Sequence, residues 1–424
     1  MNTLLSDTRK DAPWKNDPHF WLDLLGRNKP KTTSPSKPLP GLLGEKVRQR
    51  VIEDGYYRQP APEKASVTSV EALREIVEKL VELGFPPSFA LLYDEAYTVW
   101  AKYALPSSFK NLTPTFDILA FHVDPRKDSS GFSPHRDRQP EDVSASFDSE
   151  KQPSYLTRWI SLSKACSESN SCLYVIPLQT DPGYYTSDDV TSSSQLSHDG
   201  GLNPSILPLL AALPTKESFQ NIRALPCEPG ESILFSHRVI HWGSKGNPET
   251  CTEPRVALSV VYSDPEFEKP YIKQEVYSWS PTDPEFPSFK VRLVLVCCQM
   301  LVYYQRFDLT AEDVRKCYDV VVESGDVLED EYRKKVCVEF CKAVRETGGI
   351  GADGDSEAED SDEERMLEEM LDNQDAFEDE FDDFDDYEDG DDVGGELDED
   401  DNGEEEELGL VGKPKRRKLG AAKC

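Results

Sequence analysis

Residues 227–263 read CEPGESILFSHRVIHWGSKGNPETCTEPRVALSVVYS. A Pro-Gly turn signal comes first, and the alternating apolar and polar residues at 231–242 then predict a strand. A stretch rich in Gly and Pro predicts a loop, and residues 255–263 alternate again as a second strand. Two strands joined in this way pair antiparallel, so His241 near the end of the first is expected close to Arg255 at the start of the second.

The rest of the chain places these strands inside a mixed architecture. Apolar residues recur at helical spacing over 69–84 and 88–105, and again over 290–306 and 309–346. Between these helical parts, short runs rich in branched and aromatic residues are bounded by Pro, Gly, Asp and Ser, which indicates a series of strands. Helices, then strands, then helices predict an α+β domain with an antiparallel β core.

A His-x-Asp pattern occurs twice upstream, as His122-Val-Asp124 and as His135-Arg-Asp137. Side chains two apart in an extended chain point to the same side, as a chelate requires. Six His and 81 acidic residues in 424 give about one such pattern by chance, so the spacing alone identifies no site. Together with His241, however, one pair supplies the two imidazoles and one carboxylate typical of non-haem Fe(II) oxygenases.

Four motifs follow one another along the chain: EDGYY at 53–57, PHRDR at 134–138, RWISLSKACSESNSCLYVIP at 158–177 and EPGESILFSHRVIHWGS at 228–244. In this order they resemble the phytanoyl-CoA dioxygenase-like branch of the Fe(II)/2-oxoglutarate oxygenases. The resemblance covers about residues 45–265, roughly half of the chain. It implies a double-stranded β-helix, or jelly-roll, core with flanking helices.

The resemblance also implies a function and a set of site residues. Three residues are implied as Fe(II) ligands: His135, Asp137 and His241. Arg255 is implied to bind the co-substrate 2-oxoglutarate through a bidentate fork, with His122 and Ser259 as further candidates for contact with it. The implied activity is that of a dioxygenase, an oxidoreductase that hydroxylates an unidentified small-molecule or protein substrate.

The His-x-Asp pair and the distal histidine of the implied ligand set each have a competing candidate in the sequence. The pair that begins at His122 competes with the pair at His135, which the resemblance favours because the Trp159 strand follows it at the family-like distance. His237 competes with His241, because residues four apart share one side of a strand. The ending HWGS resembles that of the family and favours His241, so we interpret His237 as a core or supporting residue.

Three residues of the stretch at 158–177 are interpreted structurally. Asn170 is expected to be a turn residue, and Trp159 a core aromatic residue with lining of the pocket as the alternative. Ser171 departs from the family pattern, which more often has Gly at this place.

Charge divides the chain into two parts. The net charge is −34, and residues 351–424 hold 32 Asp/Glu against 7 Lys/Arg, which leaves −9 for the first 350 residues. Such a dense run of like charges repels itself and predicts an open, disordered tail. The tail could engage histones or other basic proteins, whereas its charge disfavours direct DNA binding.

The predicted organisation begins with a disordered segment at 1–40, with a short apolar contact at HFWLDLLG (19–26) as its exception. An oxygenase-like domain follows at 41–347, with its jelly-roll core at about 107–265 and C-terminal helices at 288–347, and the chain ends in a disordered acidic tail at 348–424. The tail ends in KPKRRK at 413–418, which resembles a nuclear import signal.

Targeting features predict a nuclear or cytoplasmic protein. The N-terminal residues lack a sustained apolar region, and no apolar run reaches the roughly 20 residues that a bilayer requires, so no membrane partner is expected. The ten Cys include no C-x-x-C pair, which suits a reducing compartment. The alternative function is a catalytically inactive jelly-roll scaffold whose acidic tail binds basic nuclear partners.

Overall fold

The computed structural model describes residues 17–26, 41–62, 65–127, 131–138, 143–186, 207–279, 285–307 and 309–347. The α-helices in these ranges are α1 Pro18–Leu24, α2 Gly41–Asp54, α3 Ala65–Glu82, α4 Asp94–Lys102, α5 Leu207–Ala212, α6 Phe289–Val302, α7 Ala311–Ser324 and α8 Asp330–Glu346. The strands are β1 Tyr56–Gln59, β2 Thr113–Val123, β3 Tyr155–Ser161, β4 Leu173–Val175, β5 Arg223–Leu225, β6 Ser232–Ser236, β7 His241–Gly243 and β8 Arg255–Ser263.

The strands form two antiparallel sheets. The larger sheet has the order β1-β6-β3-β8-β2, and the smaller has the order β5-β4-β7. An isolated antiparallel bridge between His135 and His241 adds a fourth position to the smaller sheet, beside β7. From β2 to β8 the chain therefore alternates between the sheets, except where β4 is followed by β5. The predicted α+β class with an antiparallel β core is confirmed.

Strand β8 shows how one strand serves two cores. All nine of its residues are buried. Val256 and Leu258 belong to the large apolar cluster built with the helices, whereas Ala257 belongs to the smaller cluster between the two sheets. Successive side chains of a strand point to opposite faces, so one face of the larger sheet packs on helices and the other faces the smaller sheet.

Helix α6 lies in the centre of the helical layer. Its residues from Val291 to Leu301 are buried, as expected for a helix that is apolar on all sides. The Ser288 hydroxyl accepts a hydrogen bond from the Val291 N–H and caps the helix. Among the described helices, none combines the length and the apolar character needed to cross a membrane.

The single helix predicted over 88–105 is two elements. A 3-10 helix spans Pro87–Leu92, Tyr93 is extended with φ −103° and ψ 144°, and α4 then begins at Asp94. The Tyr93 hydroxyl donates to the carbonyl of Trp21 at 2.7 Å. The break therefore lets Tyr93 reach α1, which helical periodicity alone could not predict.

Residues 17–26 include the stretch HFWLDLLG, for which the sequence indicated a short apolar contact within the otherwise disordered segment 1–40. They form α1, where Trp21 is 1 % exposed and packs on Phe85 and Phe89 with ring centroids 5.3 Å away. The segment packs on the core despite its polar flanks, because burying one large apolar side chain stabilises the fold by about 1.5–3 kcal/mol. The predicted acidic tail at 348–424 and its basic hexamer lie outside the described residues.

Gly55 connects the first motif to the later strands. Its φ of +82° belongs to the left-handed region, and a Cβ at this position would lie 2.7 Å from Cγ2 of Val239. The Gly55 carbonyl accepts the Ser236 N–H at 2.9 Å. The turn thus fixes β1 against the chain segment that leads from β6 to His241.

Candidate metal centre

Three side chains from distant parts of the sequence converge at the edge of the smaller sheet. One ligand atom from each of His135, Asp137 and His241 lies within 4.8 Å of the others. Oδ1 of Asp137 is 3.5 Å from Nε2 of His135 and 3.4 Å from Nε2 of His241. The two imidazole centroids are 4.3 Å apart. The structure therefore brings together the three residues implied as metal ligands.

The backbone explains why these residues meet. The N–H of His135 donates to the His241 carbonyl at 3.1 Å, and the N–H of His241 donates back at 3.0 Å. The Asp137 N–H then donates to the His237 carbonyl at 3.0 Å, which continues the same antiparallel pairing. Because side chains two apart in an extended chain share one side, the bridge presents His135 and Asp137 to His241.

Both imidazoles are held in the form that binds a metal. Nδ1 of His135 lies 2.7 Å from the Ser133 carbonyl, and Nδ1 of His241 lies 3.0 Å from the Val239 carbonyl. A carbonyl only accepts, so each Nδ1 carries the proton and each Nε2 lone pair is available. Burial lowers the pKa of His241 to about 4, so this imidazole is neutral at pH 7.

Asp137 completes the donor set as a carboxylate. Burial raises its pKa, but His241, His135 and a hydrogen bond from Thr157 outweigh burial and hold the pKa well below its ordinary value. The Thr157 hydroxyl donates to Oδ2 at 2.5 Å, which leaves Oδ1 facing the two imidazoles. Thr157 faces this carboxylate from β3, a role that the sequence analysis missed.

Arg255 is a buried cation, and its guanidinium lies beside β7, the strand that begins at His241. It is 4 % exposed, and its Nη1 donates to the Cys172 carbonyl at 3.0 Å. A Cβ built on either Gly131 or Gly243 would lie 2.7 Å from its Nη2, so both glycines make room for the guanidinium.

No carboxylate of the described residues lies within 4.0 Å of this guanidinium. Burial lowers the pKa of Arg255 to about 10, and no acidic residue is among the groups that offset burial. A buried charge without a counter-ion lowers the stability of the fold by several kcal/mol, as the breaking of a buried ion pair does. The position of Arg255 therefore suits an anionic ligand.

The two further candidates for co-substrate contact have different outcomes. Ser259 pairs with Trp159 across the sheet, and its alternation with Val260 puts it on the face of Arg255, between the sheets. His122 pairs with Val256, which belongs to the cluster on the helical face. His122 therefore lies on the opposite face of the sheet from Ser259 and Arg255, and its contact with the co-substrate stays a prediction.

The rival ligands are also separated from the centre. Asp124 accepts hydrogen bonds from Arg126 at 2.7 and 2.9 Å, which occupy both of its oxygens. His237 is fully buried, its Nδ1 lies 3.0 Å from the Tyr155 carbonyl, and burial lowers its pKa to about 3. Its interpretation as a core residue agrees with this position.

Asn170 contributes more than a turn. Its amide donates to the Lys164 carbonyl at 2.7 Å and to the Glu253 carbonyl at 3.2 Å, while its oxygen accepts the Cys166 N–H at 2.9 Å. It therefore connects the loop before β4 to the loop before β8, the strand that begins at Arg255. Trp159 lies in the apolar cluster between the sheets, as predicted for a core aromatic residue.

An ion-pair network connects the metal-ligand segment to the C-terminal helices. Arg138 donates to the Asp137 carbonyl at 2.8 Å and to both oxygens of Glu268 at 2.6 and 2.9 Å. Tyr271 donates to Glu268 at 2.9 Å and stacks on Tyr332 of α8 with centroids 3.7 Å apart. Local sequence patterns could not predict this network, because Arg138 and Glu268 are 130 residues apart.

Comparison with known proteins gives weak structural likenesses. No protein-family model matches the chain, and no curated protein matches it. One solved structure is the epimerase SnoN in complex with Fe3+, alpha ketoglutarate and nogalamycin RO, at 18 % identity and TM-score 0.33, covering 53 % of this chain and 85 % of that one.

Two further structures are similar at the same level. EctD from S. alaskensis with 2-oxoglutarate and 5-hydroxyectoine has 15 % identity and TM-score 0.34, covering 60 % of this chain and 84 % of that one. HygX from Streptomyces hygroscopicus with iron bound has 12 % identity and TM-score 0.35, covering 59 % and 98 %. These values are too low for any property of those enzymes to pass to this chain, so the chemistry of the centre follows from its own side chains.

Proposed function

We propose that this chain is an Fe(II)- and 2-oxoglutarate-dependent dioxygenase that hydroxylates a C–H bond of a small-molecule or protein substrate. The observation that carries the proposal is the geometry of two imidazole nitrogens and one carboxylate oxygen within 4.8 Å of one another. Two His and one carboxylate bind one face of Fe(II) and leave positions open for other ligands. A closed structural zinc site would need a fourth protein ligand.

The strand order supports a double-stranded β-helix as the core. The chain passes from β2 through the His135 bridge to β3 and on to β8, alternating between the sheets. This arrangement is that of an eight-stranded jelly roll in which the His135 segment takes the place of the second strand. The ligands then lie at one end of the barrel, on its smaller sheet.

Arg255 supports 2-oxoglutarate as the co-substrate. Its guanidinium is buried, lacks a carboxylate partner among the described residues, and lies against Gly243 two residues beyond His241. A guanidinium binds a carboxylate through two parallel hydrogen bonds. The far carboxylate of 2-oxoglutarate would restore the charge balance that the protein itself leaves open.

The protein's part in the reaction is binding, orientation and exclusion of water. His135, Asp137 and His241 would hold the iron, and Arg255 would fix the far end of 2-oxoglutarate. When bound, iron, 2-oxoglutarate and dioxygen supply an oxidation that converts 2-oxoglutarate to succinate and carbon dioxide and inserts one oxygen atom into the substrate. Phe235, whose ring centroid is 4.4 Å from that of His241, packs against this imidazole.

The direct test is succinate formation by the full-length protein, prepared without oxygen and supplied with Fe(II), 2-oxoglutarate and then air. Arg255→Gln is expected to raise KM for 2-oxoglutarate about 100-fold, since losing one partner of a buried charge pair costs roughly 2–5 kcal/mol. Arg126→Gln, which removes an exposed arginine paired with Asp124, is the control and is expected to leave KM unchanged.

Absence of both succinate and a 2-oxoglutarate-dependent charge-transfer band in the iron-loaded protein would contradict the proposal. The alternative of an inactive scaffold finds no support among the described residues, and the tail on which it depends lies outside them. Binding of histones or other basic proteins by the tail, and nuclear or cytoplasmic localisation, remain predictions from the sequence.

A further inference from the structure

Arg306 lies beside the candidate metal centre but takes no part in its ligand set. It ends the 3-10 helix Tyr304–Arg306 that follows α6. Its guanidinium carbon lies 4.1 Å from the centroid of the Phe132 ring. That ring is 5.7 Å from the imidazole of His135. Together these separations place the cation no more than about 10 Å from a metal ligand.

The guanidinium of Arg306 forms neither an ion pair nor a hydrogen bond with any residue that the structure describes. The chain has 81 acidic residues against 47 basic ones, so potential partners are abundant. Other arginines near the centre have such partners: Arg126 pairs with Asp124, Arg136 with Asp181 and Arg138 with Glu268. Partial burial of its guanidinium lowers the pKa of Arg306, and no acidic residue of the described ranges offsets this effect.

Two guanidinium groups without carboxylate partners among the described residues therefore flank one short segment. Arg255 lies against Gly131 on the inner side, and Arg306 covers Phe132 on the outer side. Arg306 is exposed, whereas Arg255 is buried. If 2-oxoglutarate binds Arg255, then Arg306 stays available for a second anion on the side of the centre where His135 lies.

We propose that Arg306, supported by the Phe132 ring, binds an acidic group of the substrate. The substrate is then an anionic molecule, with a carboxylate or a phosphate about one nanometre or less from the C–H bond that is oxidised. A guanidinium binds either group bidentately, and stacking on an aromatic ring keeps its fork oriented. The inference rests on the proposed function, because it takes the open side of the triad as the place of reaction.

The test uses two small probes, methylphosphonate and 13C-labelled acetate, in separate arms. The full-length protein is loaded with Mn(II) in place of iron and saturated with 2-oxoglutarate without oxygen, so that Arg255 is occupied. Paramagnetic relaxation of the 31P or 13C nucleus then reports binding near the metal. Arg306→Gln is expected to reduce this relaxation about tenfold, as the loss of one charge-assisted hydrogen bond implies.

Two matched variants and a metal-free arm decide the outcome. Arg306→Lys keeps the positive charge but loses the two parallel N–H donors of the guanidinium, so a relaxation between those of wild type and Arg306→Gln is expected. Arg50→Gln, at an exposed arginine of α2, is expected to behave as wild type. In protein that binds Mn(II), equal relaxation in wild type and Arg306→Gln, or none in either arm, would overturn the inference. The arm with the stronger relaxation assigns carboxylate or phosphate.

Failure of the proposed function gives a different pattern. In metal-free protein, the Nε–Hε resonance of Arg306 is expected to shift with millimolar methylphosphonate or acetate whether or not the triad binds metal. A shift without Mn(II) binding would refute the oxygenase and keep the anion site. Mn(II) binding and 2-oxoglutarate turnover without this shift would keep the oxygenase and refute the anion site.

Discussion

The two His-x-Asp sequences begin thirteen residues apart and have opposite fates. In the upstream copy, His122 lies on the helical face of β2 and Asp124 is held by Arg126. In the downstream copy, His135 and Asp137 face a third ligand across an antiparallel bridge. Identical spacing thus gives a structural ion pair in one place and a candidate metal centre in the other.

The difference lies in which partner each carboxylate meets. Hydrogen bonds from Arg126 lower the pKa of Asp124, and that guanidinium occupies both of its oxygens. At Asp137, a hydroxyl occupies Oδ2 and Oδ1 remains directed at two imidazoles. Both acids are ionised at neutral pH, so what separates them is the availability of an oxygen for a metal.

The largest expected effect is the loss of metal binding in Asp137→Ala. Removing the only carboxylate of the triad should abolish Fe(II)-dependent succinate formation and lower metal affinity by more than about 100-fold, since first ligands contribute more than their supporting partners. Asp124→Ala is the matched control and should keep turnover near that of wild type. The measurements are succinate yield and Co(II) titration followed by absorbance.

A normal Co(II) affinity in Asp137→Ala would place the metal elsewhere. Equal losses in the two variants would mean that the comparison between the copies reflects folding, so the thermal unfolding of both proteins is measured alongside.

A smaller loss is expected when the downstream segment loses its support. Glu268→Gln removes the charge that holds Arg138, whose guanidinium also binds the Asp137 carbonyl. Loss of such a supporting partner typically costs about 10–100-fold in metal affinity. Asp94→Asn is the control, because Asp94 pairs with Arg292 at 2.7 Å with similar burial but contacts no metal ligand.

The absorbance spectrum of bound Co(II) separates positioning from general destabilisation. Glu268→Gln should change both the spectrum and the affinity, while Asp94→Asn should change neither. If both variants lose stability equally and both keep the wild-type spectrum, Glu268 has no positioning role.

His241, which faces the downstream copy, and His122 of the upstream copy should also differ in how they couple stability to pH. Burial lowers the pKa of His241 to about 4 from 6.5. Between these values the unfolded chain binds the extra proton, so the free energy of unfolding of metal-free protein falls as the pH decreases. A single group of this kind contributes a loss of about 2 kcal/mol between pH 7 and pH 5.

Urea unfolding at the two pH values measures this coupling. His241→Asn should lose most of that pH dependence, whereas His122→Asn, at the half-buried upstream residue whose pKa burial also lowers, should lose less. An unchanged pH dependence in His241→Asn would show that its imidazole titrates as in water.

Sequence reasoning succeeded where a local pattern determines geometry. The alternation at 255–263 predicted β8, which begins at Arg255, and the Gly55 turn before β1 lies where the chain becomes extended. The single strand predicted over 231–242 is wrong, because this stretch contains two strands, β6 and β7, which lie in different sheets, and neither pairs with β8. Position 171, where the family more often has Gly, has a φ of +69°. The backbone conformation explains the family preference, and Ser171 tolerates it while its hydroxyl lies 2.8 Å from that of Ser244.

Sequence reasoning failed where the outcome depends on contacts between distant residues. The face on which His122 lies depends on its register with Val256, which a bulge between Pro114 and Ile118 sets. A shift of one residue turns every side chain of a strand to the other face. The helix around Trp21 also depends on a distant surface, so local composition indicated an apolar contact at HFWLDLLG but not the helix itself.

The finest test of the comparison concerns the second oxygen of Asp137. Thr157→Val removes the hydroxyl that donates to Oδ2 at 2.5 Å and substitutes a methyl group of similar size. The carboxylate then becomes more basic and free to rotate, and metal affinity should fall by up to about tenfold, the value of one hydrogen bond to a charged group. Thr157→Ser keeps the hydroxyl and should restore most of the affinity measured by Co(II) titration. Equal losses in Val and Ser would assign the effect to packing, and no loss in Val would show that the two imidazoles alone orient Asp137.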